Sequence, residues 1–502
     1  MVGYRNAVYN AKEQTFEVFT WAETGERVSY VSKFNPYVYI EDSKGADLSI
    51  FNTKIRKKSF NTYFDKLKWI KETGTKRLFE NFNPVQQSLI DMYGDYNDTE
   101  DFVKFPLKIY FFDIEAVAPT GMGFPSPENA AYPINLINVF DSIEEVYYVW
   151  GTGEYKPKQK NIKYFNCATE IDLLTDFVEF IRKNPPDILS GWNSTFFDIP
   201  YIVNRIRNIL GASAVNDLSP VDRVYSRTFM NSFGRPQIQW YIEGISCVDY
   251  LDIYKRFRFK NQESYRLDFI GETELNERKV DIGDKDLYQL METDWDTFVD
   301  YNIQDVNLLV KLEIKLQYIS LLRMLAYMGL TTFEGAMGTL SVITGASAIR
   351  ARKNNLHIST FIRSDVEGKN PGAFVAEPQK GFQKNIVSFD ANSLYPNVMI
   401  SLNMSPETKV GKIIESDDNH ITVRHVNGQI FKLTRDKFVK YLKTEDIAVS
   451  KAKILFSQKT KGIMPDLVDF YYTERKKIQA ELKKCKNEEV EIIEKLKAME
   501  LN

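Results

Sequence analysis

Apolar side chains run almost unbroken from Leu107 to Phe112, and the run ends in two carboxylates two residues apart, Asp113 and Glu115. Its length and its aromatic and aliphatic content predict a buried strand. Alternate residues of a strand share one face, so the two carboxylates are expected side by side at its end. Shorter patterns lie on either side of this run. Phe16–Trp21 and Tyr37–Ile40 alternate as strands, and Trp69, Ile70, Leu78 and Phe79 read as helical, with the basic cluster Lys54-Ile-Arg-Lys-Lys58 between them. The polar stretch Gly94–Asp101 reads as a loop. Asp187–Asn193 reads as a strand entering a turn, and Ile199–Leu210 has helical spacing with Pro200 near its first turn. Val224–Met230 and Gln237–Ile242 flank Asn231–Pro236 as a long β-hairpin. Asp300–Val310 is predicted as an amphipathic helix, and residues 324 to 361 as mostly helical. Asn385–Asp390 reads as a second apolar strand ending in a carboxylate, with Pro396 placed to start a helix over Asn397–Leu402. From about Pro465 the chain is one long charged helical pattern with a break expected near Asn487.

A chain of 502 residues is too long for one core and predicts several domains. Alternating strand and helix patterns make it an α/β multidomain protein. The expected divisions are residues 1–105, with 324–361 packing on them, then 106–323, 362–461 and 462–502. With 43% hydrophobic and 26% charged residues the chain is globular. Its N-terminus lacks a secretory signal and no apolar run approaches membrane-spanning length, which predicts a cytoplasmic protein without membrane contact. Three scattered cysteines argue against a disulfide framework or a zinc site. The three histidines lie far from the carboxylate motifs, so imidazole acid–base chemistry is not expected. A net charge of −3 confines any nucleic-acid contact to local basic patches.

Two carboxylates as close as Asp113 and Glu115 repel unless a cation lies between them. Hard oxygen donors without histidine point to Mg²⁺ or Mn²⁺. Downstream, Asn193-Ser-Thr-Phe-Phe-Asp198 and Tyr301-Asn-Ile-Gln-Asp305 each add an Asp. Four carboxylates in this order suit two-metal phosphoryl transfer, which needs no His, Cys or Ser nucleophile. Tyr301 lies one helical turn before Asp305 and so shares its face.

On these three motifs the chain resembles a DEDDy-type 3′–5′ exonuclease, and more particularly the proofreading domain of family B DNA polymerases. The resemblance implies an RNase H-like domain with a mixed sheet and flanking helices. It assigns two divalent ions to Asp113, Glu115, Asp198 and Asp305, with Tyr301 orienting the attacking water. Asp390-Ala-Asn-Ser-Leu-Tyr-Pro396 resembles motif A of the same family. That match implies that Asp390 holds the two further ions of a polymerase site, while Ser393, Leu394 and Tyr395 lie against an incoming dNTP. Pro371-Gly-Ala-Phe-Val375 resembles the family's template-contacting segment. Gly462-Ile-Met-Pro465 with Tyr471–Lys477 resembles the start of the fingers, which makes Arg475 a candidate triphosphate ligand.

Taken whole, the sequence resembles the amino-terminal half of the T-even-type bacteriophage polymerases. Nothing in it resembles motifs B and C or the thumb. The expectation is therefore one half of a split polymerase that acts on single-stranded and primer–template DNA. A second chain would complete the palm, fingers and thumb and carry the sliding-clamp contact. The 224–242 hairpin reads equally as a primer–template wedge or as a sheet extension. Two further readings stand beside this one: a stand-alone exonuclease, and an RNA-binding translational repressor that uses Lys54–Lys58.

Overall fold

The computed structural model describes the chain apart from residues 1–2, 75–76, 96–100, 231–233, 284, 362–374 and 501–502, and apart from the side chains of 101, 361 and 490–500. Most of the Gly94–Asp101 loop, the hairpin tip and residues 371–374 of the expected template-contacting segment thus lie outside the described residues. The chain forms two compact units. The first comprises residues 1–36, 59–69 and 82–345, and the second residues 37–58, 70–81 and 346–502. Residues 1–105 are therefore shared between the two.

The first unit is built on a mixed six-stranded sheet. Its strands run in the order Ile162–Asn166, Val146–Gly151, Ile134–Asp141, Ile109–Ala116, Ile188–Ser190, Ser246–Cys247. Ile109–Ala116 pairs antiparallel with Ile134–Asp141 and parallel with Ile188–Ser190, so it is central and covered on both faces. The near-continuous apolar run of the sequence reflects that position. Tyr110, Phe112 and Ile114 face one core, shared with helices Glu170–Lys183 and Asp198–Leu210. Phe111 faces the other, shared with helices Tyr250–Phe257 and Trp295–Leu316. Asp113 and Glu115 continue the Phe111 face by the strand's two-residue period.

An antiparallel sheet of Asn6–Asn10, Thr15–Trp21 and Arg27–Lys33 belongs to the same unit. It is tied to the larger sheet by charge. Asp187, 1% exposed, accepts from Arg5 Nη1 (2.7 Å), from both terminal nitrogens of Arg27 (2.8 and 2.7 Å) and from the Lys108 amide (2.8 Å). The expected hairpin forms as Val224–Met230 paired with Pro236–Ile242.

In the second unit one six-stranded sheet joins Tyr37–Glu41, Asp47–Ser49, Lys54–Ser59 and Arg77–Phe79 to Leu356–His357 and Ser359–Phe361. Leu78 and Phe79, expected as helical, are strand residues and fully buried. The basic cluster lies on the Lys54–Ser59 strand, where Arg56 pairs with Asp42 and Lys57 covers the Tyr37 ring. A five-stranded antiparallel sheet spans Lys409–Ser457, and helix Arg435–Glu445 packs on it. The final helix runs unbroken from Ile463 to Glu500, so the break expected at Asn487 is absent. One Asn costs a helix only a few tenths of a kcal/mol. The Lys484–Glu488 pair spans the position one helical turn apart.

Ile386–Phe389 departs further from expectation. It forms no strand, and Ile386, Val387 and Phe389 are 74%, 73% and 93% exposed. A strand needs a neighbour to satisfy its backbone, and none pairs with this segment among the described residues. No helix among the described residues is long and apolar enough to cross a membrane.

Candidate functional site

Three elements of the first unit bring the four sequence-predicted carboxylates together. The central strand supplies Asp113 and Glu115. Helix Trp295–Leu316, capped by the Asp294 side chain on the Thr297 amide, lies on their face of the sheet and presents Tyr301 and Asp305 one turn apart. Asn302 of the same helix is fully buried, and its Nδ2 donates to Asp113 Oδ2 (2.7 Å) and Glu115 Oε1 (3.3 Å). Asp198, the first residue of helix Asp198–Leu210, approaches from the turn above, with Oδ1 3.4 Å from the Ile114 amide.

That turn has its own anchors. Gly191 sits so close to the strand that a Cβ there would lie 2.8 Å from the Phe112 carbonyl oxygen, a contact only glycine permits. Asn193 takes up a left-handed conformation, φ +64°. Asp249, 4% exposed, then accepts from the amides of Asn193 (3.0 Å), Thr195 (3.0 Å) and Leu251 (2.9 Å). One carboxylate thereby caps helix Tyr250–Phe257 and pins the turn that delivers Asp198.

Burial dominates the electrostatics. It pushes Glu115 up to about 7, with Asp305 adding to the effect, and Asp198 up to about 8. Asp113 is held well above the carboxylate range by burial and then by Asp198, Glu115 and Asp305. Burial raises Asp305 as well. A positive charge among them is Lys279, which no sequence motif announced. Its ammonium donates to the Asp305 carboxylate and to the Tyr301 hydroxyl (3.1 Å). Burial pulls Lys279 down, but Asp305, Tyr301 and Asp113 outweigh it and the lysine is held above its ordinary value.

The donor set fits a divalent cation. All four groups are hard oxygen donors, their mutual repulsion is only partly met by Lys279 and Asn302, and Asp305 Oδ1 is buried without a hydrogen-bond partner. Among the described residues no three carboxylate, imidazole or thiol groups are drawn close enough to enclose an ion in this conformation.

The second set of predicted residues lies in the other unit. Asp390 is exposed and irregular in backbone, at the end of the unpaired 386–389 segment. Ser393, at φ +51°, precedes helix Leu394–Ser401. Leu394 and Tyr395 are 53% and 77% exposed. Arg475 is exposed on the final helix, and that helix packs on Leu394–Ser401, with Tyr472 reaching Ser393 and Asn397.

Comparison with known sequences places these findings. Residues 28–270 match the profile of the DNA polymerase family B exonuclease domain, and residues 343–499 that of DNA polymerase family B. Tyr301 and Asp305 lie outside both matched spans. The DNA-directed DNA polymerase of Escherichia phage RB69 is 30% identical over 444 residues, 83% of this chain and 48% of the relative. That of Enterobacteria phage T4 is 32% identical over 325 residues, 60% of this chain and 36% of the relative. The DNA polymerase delta catalytic subunit of Candida albicans is 26% identical over 438 residues, 80% of this chain and 38% of the relative. The chain thus spans about half the length, or less, of the curated relatives it matches. With both an exonuclease and a polymerase profile matched in order, the chain belongs to the family B DNA polymerases.

Proposed function

We propose that residues 106–323 are a proofreading 3′–5′ exonuclease that removes nucleotides from the frayed 3′ end of a DNA strand. The observation that carries this reading is the convergence of Asp113, Glu115, Asp198 and Asp305 on one buried spot beside Tyr301. These four carboxylates would hold two Mg²⁺ or Mn²⁺ ions, which supply a water of lowered pKa and stabilise the leaving 3′ oxygen. The chain's own residues do the rest. Tyr301 accepts from Lys279, which leaves its O–H free to orient the attacking water. Lys279 lends positive charge where negative charge gathers on the phosphoryl oxygens. Phe124, 83% exposed and packed on the Phe197 ring (5.1 Å between centroids) next to Asp198, offers a stacking platform for an unpaired base.

In the second unit, Asp390 with Ser393, Leu394 and Tyr395 serves as motif A of a polymerase site, and Arg475 grips the triphosphate of a dNTP. One such carboxylate does not build a two-metal centre. Polymerisation therefore needs further metal ligands, which a second chain supplies on the split-enzyme reading.

A 5′-labelled primer–template with a mismatched 3′ end, incubated with Mg²⁺ with and without dNTPs, tests both statements. Shortening is expected, and replacing Asp113 and Glu115 together by alanine should abolish it while DNA binding persists. Absence of shortening overturns the exonuclease reading. Extension by this chain alone overturns the need for further residues.

A further inference from the structure

We infer that Asn302 is a positioning residue of the exonuclease centre, whose amide holds the Asp113 and Glu115 carboxylates in the paired orientation that a divalent cation requires. The inference rests on the proposed exonuclease reading and assigns a role to a side chain that neither binds metal nor touches substrate.

Asn302 stands between two residues already given roles, one position after Tyr301 and three before Asp305, on the buried side of the same helix. Its side chain is entirely enclosed. Nδ2 has two hydrogens, and each has an acceptor: Asp113 Oδ2 at 2.7 Å and Glu115 Oε1 at 3.3 Å. One planar amide thus spans both strand carboxylates and fixes the distance between them. Both carboxylate oxygens accept here, the only role open to a carboxylate that carries a metal ion. Turning the amide over would aim Oδ1 at two negative groups.

The other half of the amide sharpens the point. Asn302 Oδ1 is buried without a partner, so the residue is badly served as a structural polar group and well served only as a donor. The helix is located at this point by a second contact. Asn138, cross-strand neighbour of Asp113, donates through Nδ2 to the Asn302 carbonyl at 3.4 Å. The Asn302 amide thus stands directly behind two of the carboxylates and sets their spacing. Groups of this kind, one step behind the ligands, set metal affinity by about 10–100-fold.

The test uses the full chain and two variants. Asn302→Leu keeps the branched shape of the side chain and deletes the donors. Asn302→Ser keeps a hydroxyl too short to span both carboxylates. Mn²⁺ binding is measured by calorimetry and by the loss of free-Mn²⁺ paramagnetic resonance signal, melting is followed in EDTA, and exonuclease rate is titrated against Mn²⁺. Both variants are expected to bind Mn²⁺ about 10–100-fold more weakly. Their rate should recover at high metal, and each variant should still melt in EDTA as a single cooperative transition, which shows that it is folded. Unchanged Mn²⁺ affinity in a folded variant overturns the inference and leaves the exonuclease reading standing. A rate loss that saturating metal does not restore, at unchanged affinity, overturns it equally. If the unsubstituted chain neither binds Mn²⁺ nor shortens DNA, the exonuclease reading itself has failed.

Discussion

Replacing Lys279 by methionine separates two descriptions of the carboxylate cluster. Lys279 retains 27% side-chain exposure, and its partner Asp305 retains 8%. Breaking a fully buried ion pair costs about 3–5 kcal/mol, because the abandoned charge stays desolvated. Exposed pairs are worth about 0–1 kcal/mol. Lys279 stands between these limits, and discounting for its solvent contact gives about 2 kcal/mol in EDTA. Methionine keeps most of the aliphatic stem, so lost packing contributes little. A divalent ion bound by the same carboxylates supplies the missing positive charge, and with saturating Mg²⁺ the deficit should fall below about 1 kcal/mol. Urea denaturation followed by tryptophan fluorescence, with and without Mg²⁺, reads both numbers. Equal deficits in the two conditions would refute the reasoning, because lysine and metal would then be answering different charges. A deficit near zero in EDTA would refute it from the other side, by showing that the ammonium does not engage the cluster.

Other parts of the first unit make separate predictions. Asp187→Asn keeps the shape but removes the charge shared by Arg5 and Arg27, and should cost about 3 kcal/mol by urea denaturation. A loss under about 1 kcal/mol would mean that the arginines find other partners. Lys66 is fully buried and donates to the Phe82 carbonyl (3.1 Å), and burial pulls its ammonium from 10.5 down to about 8, against the Asp91 charge. The unfolded chain therefore binds the extra proton between pH 8 and 10.5, so folding is penalised most below pH 8 and the penalty fades as pH rises through that window. It amounts to roughly 3 kcal/mol. After about 1 kcal/mol for the lost hydrogen bond, Lys66→Met should stabilise the protein by about 2 kcal/mol at pH 7 and by less at pH 9.5. A gain that grows with pH contradicts this sign. Asp249→Ala frees two amides of the turn that presents Asp198 and one at the start of helix Tyr250–Phe257, and should lower the exonuclease rate more than Lys160→Ala, a change at an exposed position. Equal rates for the two variants would remove Asp249 from the site's support.

The parts of the site that were legible in the sequence are those whose geometry is local. A strand fixes Asp113 beside Glu115 through its two-residue period, and a helix fixes Tyr301 beside Asp305 through its 3.6-residue turn. Each of these motifs carries its geometry with it. Lys279 does not, because it lies 22 and 26 residues from its partners in sequence and between helices, where no periodicity marks it. Asp249 lies 54 and 56 residues from the turn it pins. Asn302 sat inside a recognised motif, yet its function depends on which strand face the helix covers, a tertiary fact. The same distinction explains Ile386–Phe389. Its apolar pattern matches that of Ile109–Phe112, but the latter has a partner on each side while the former has none among the described residues. Hydrophobic pattern states that a segment can be half of a pairing, and only a neighbour makes it a strand. By this argument a partner segment that hydrogen-bonds to 386–389 should order that segment as a strand and fix Asp390 at its end, which hydrogen exchange at those amides would register as new protection.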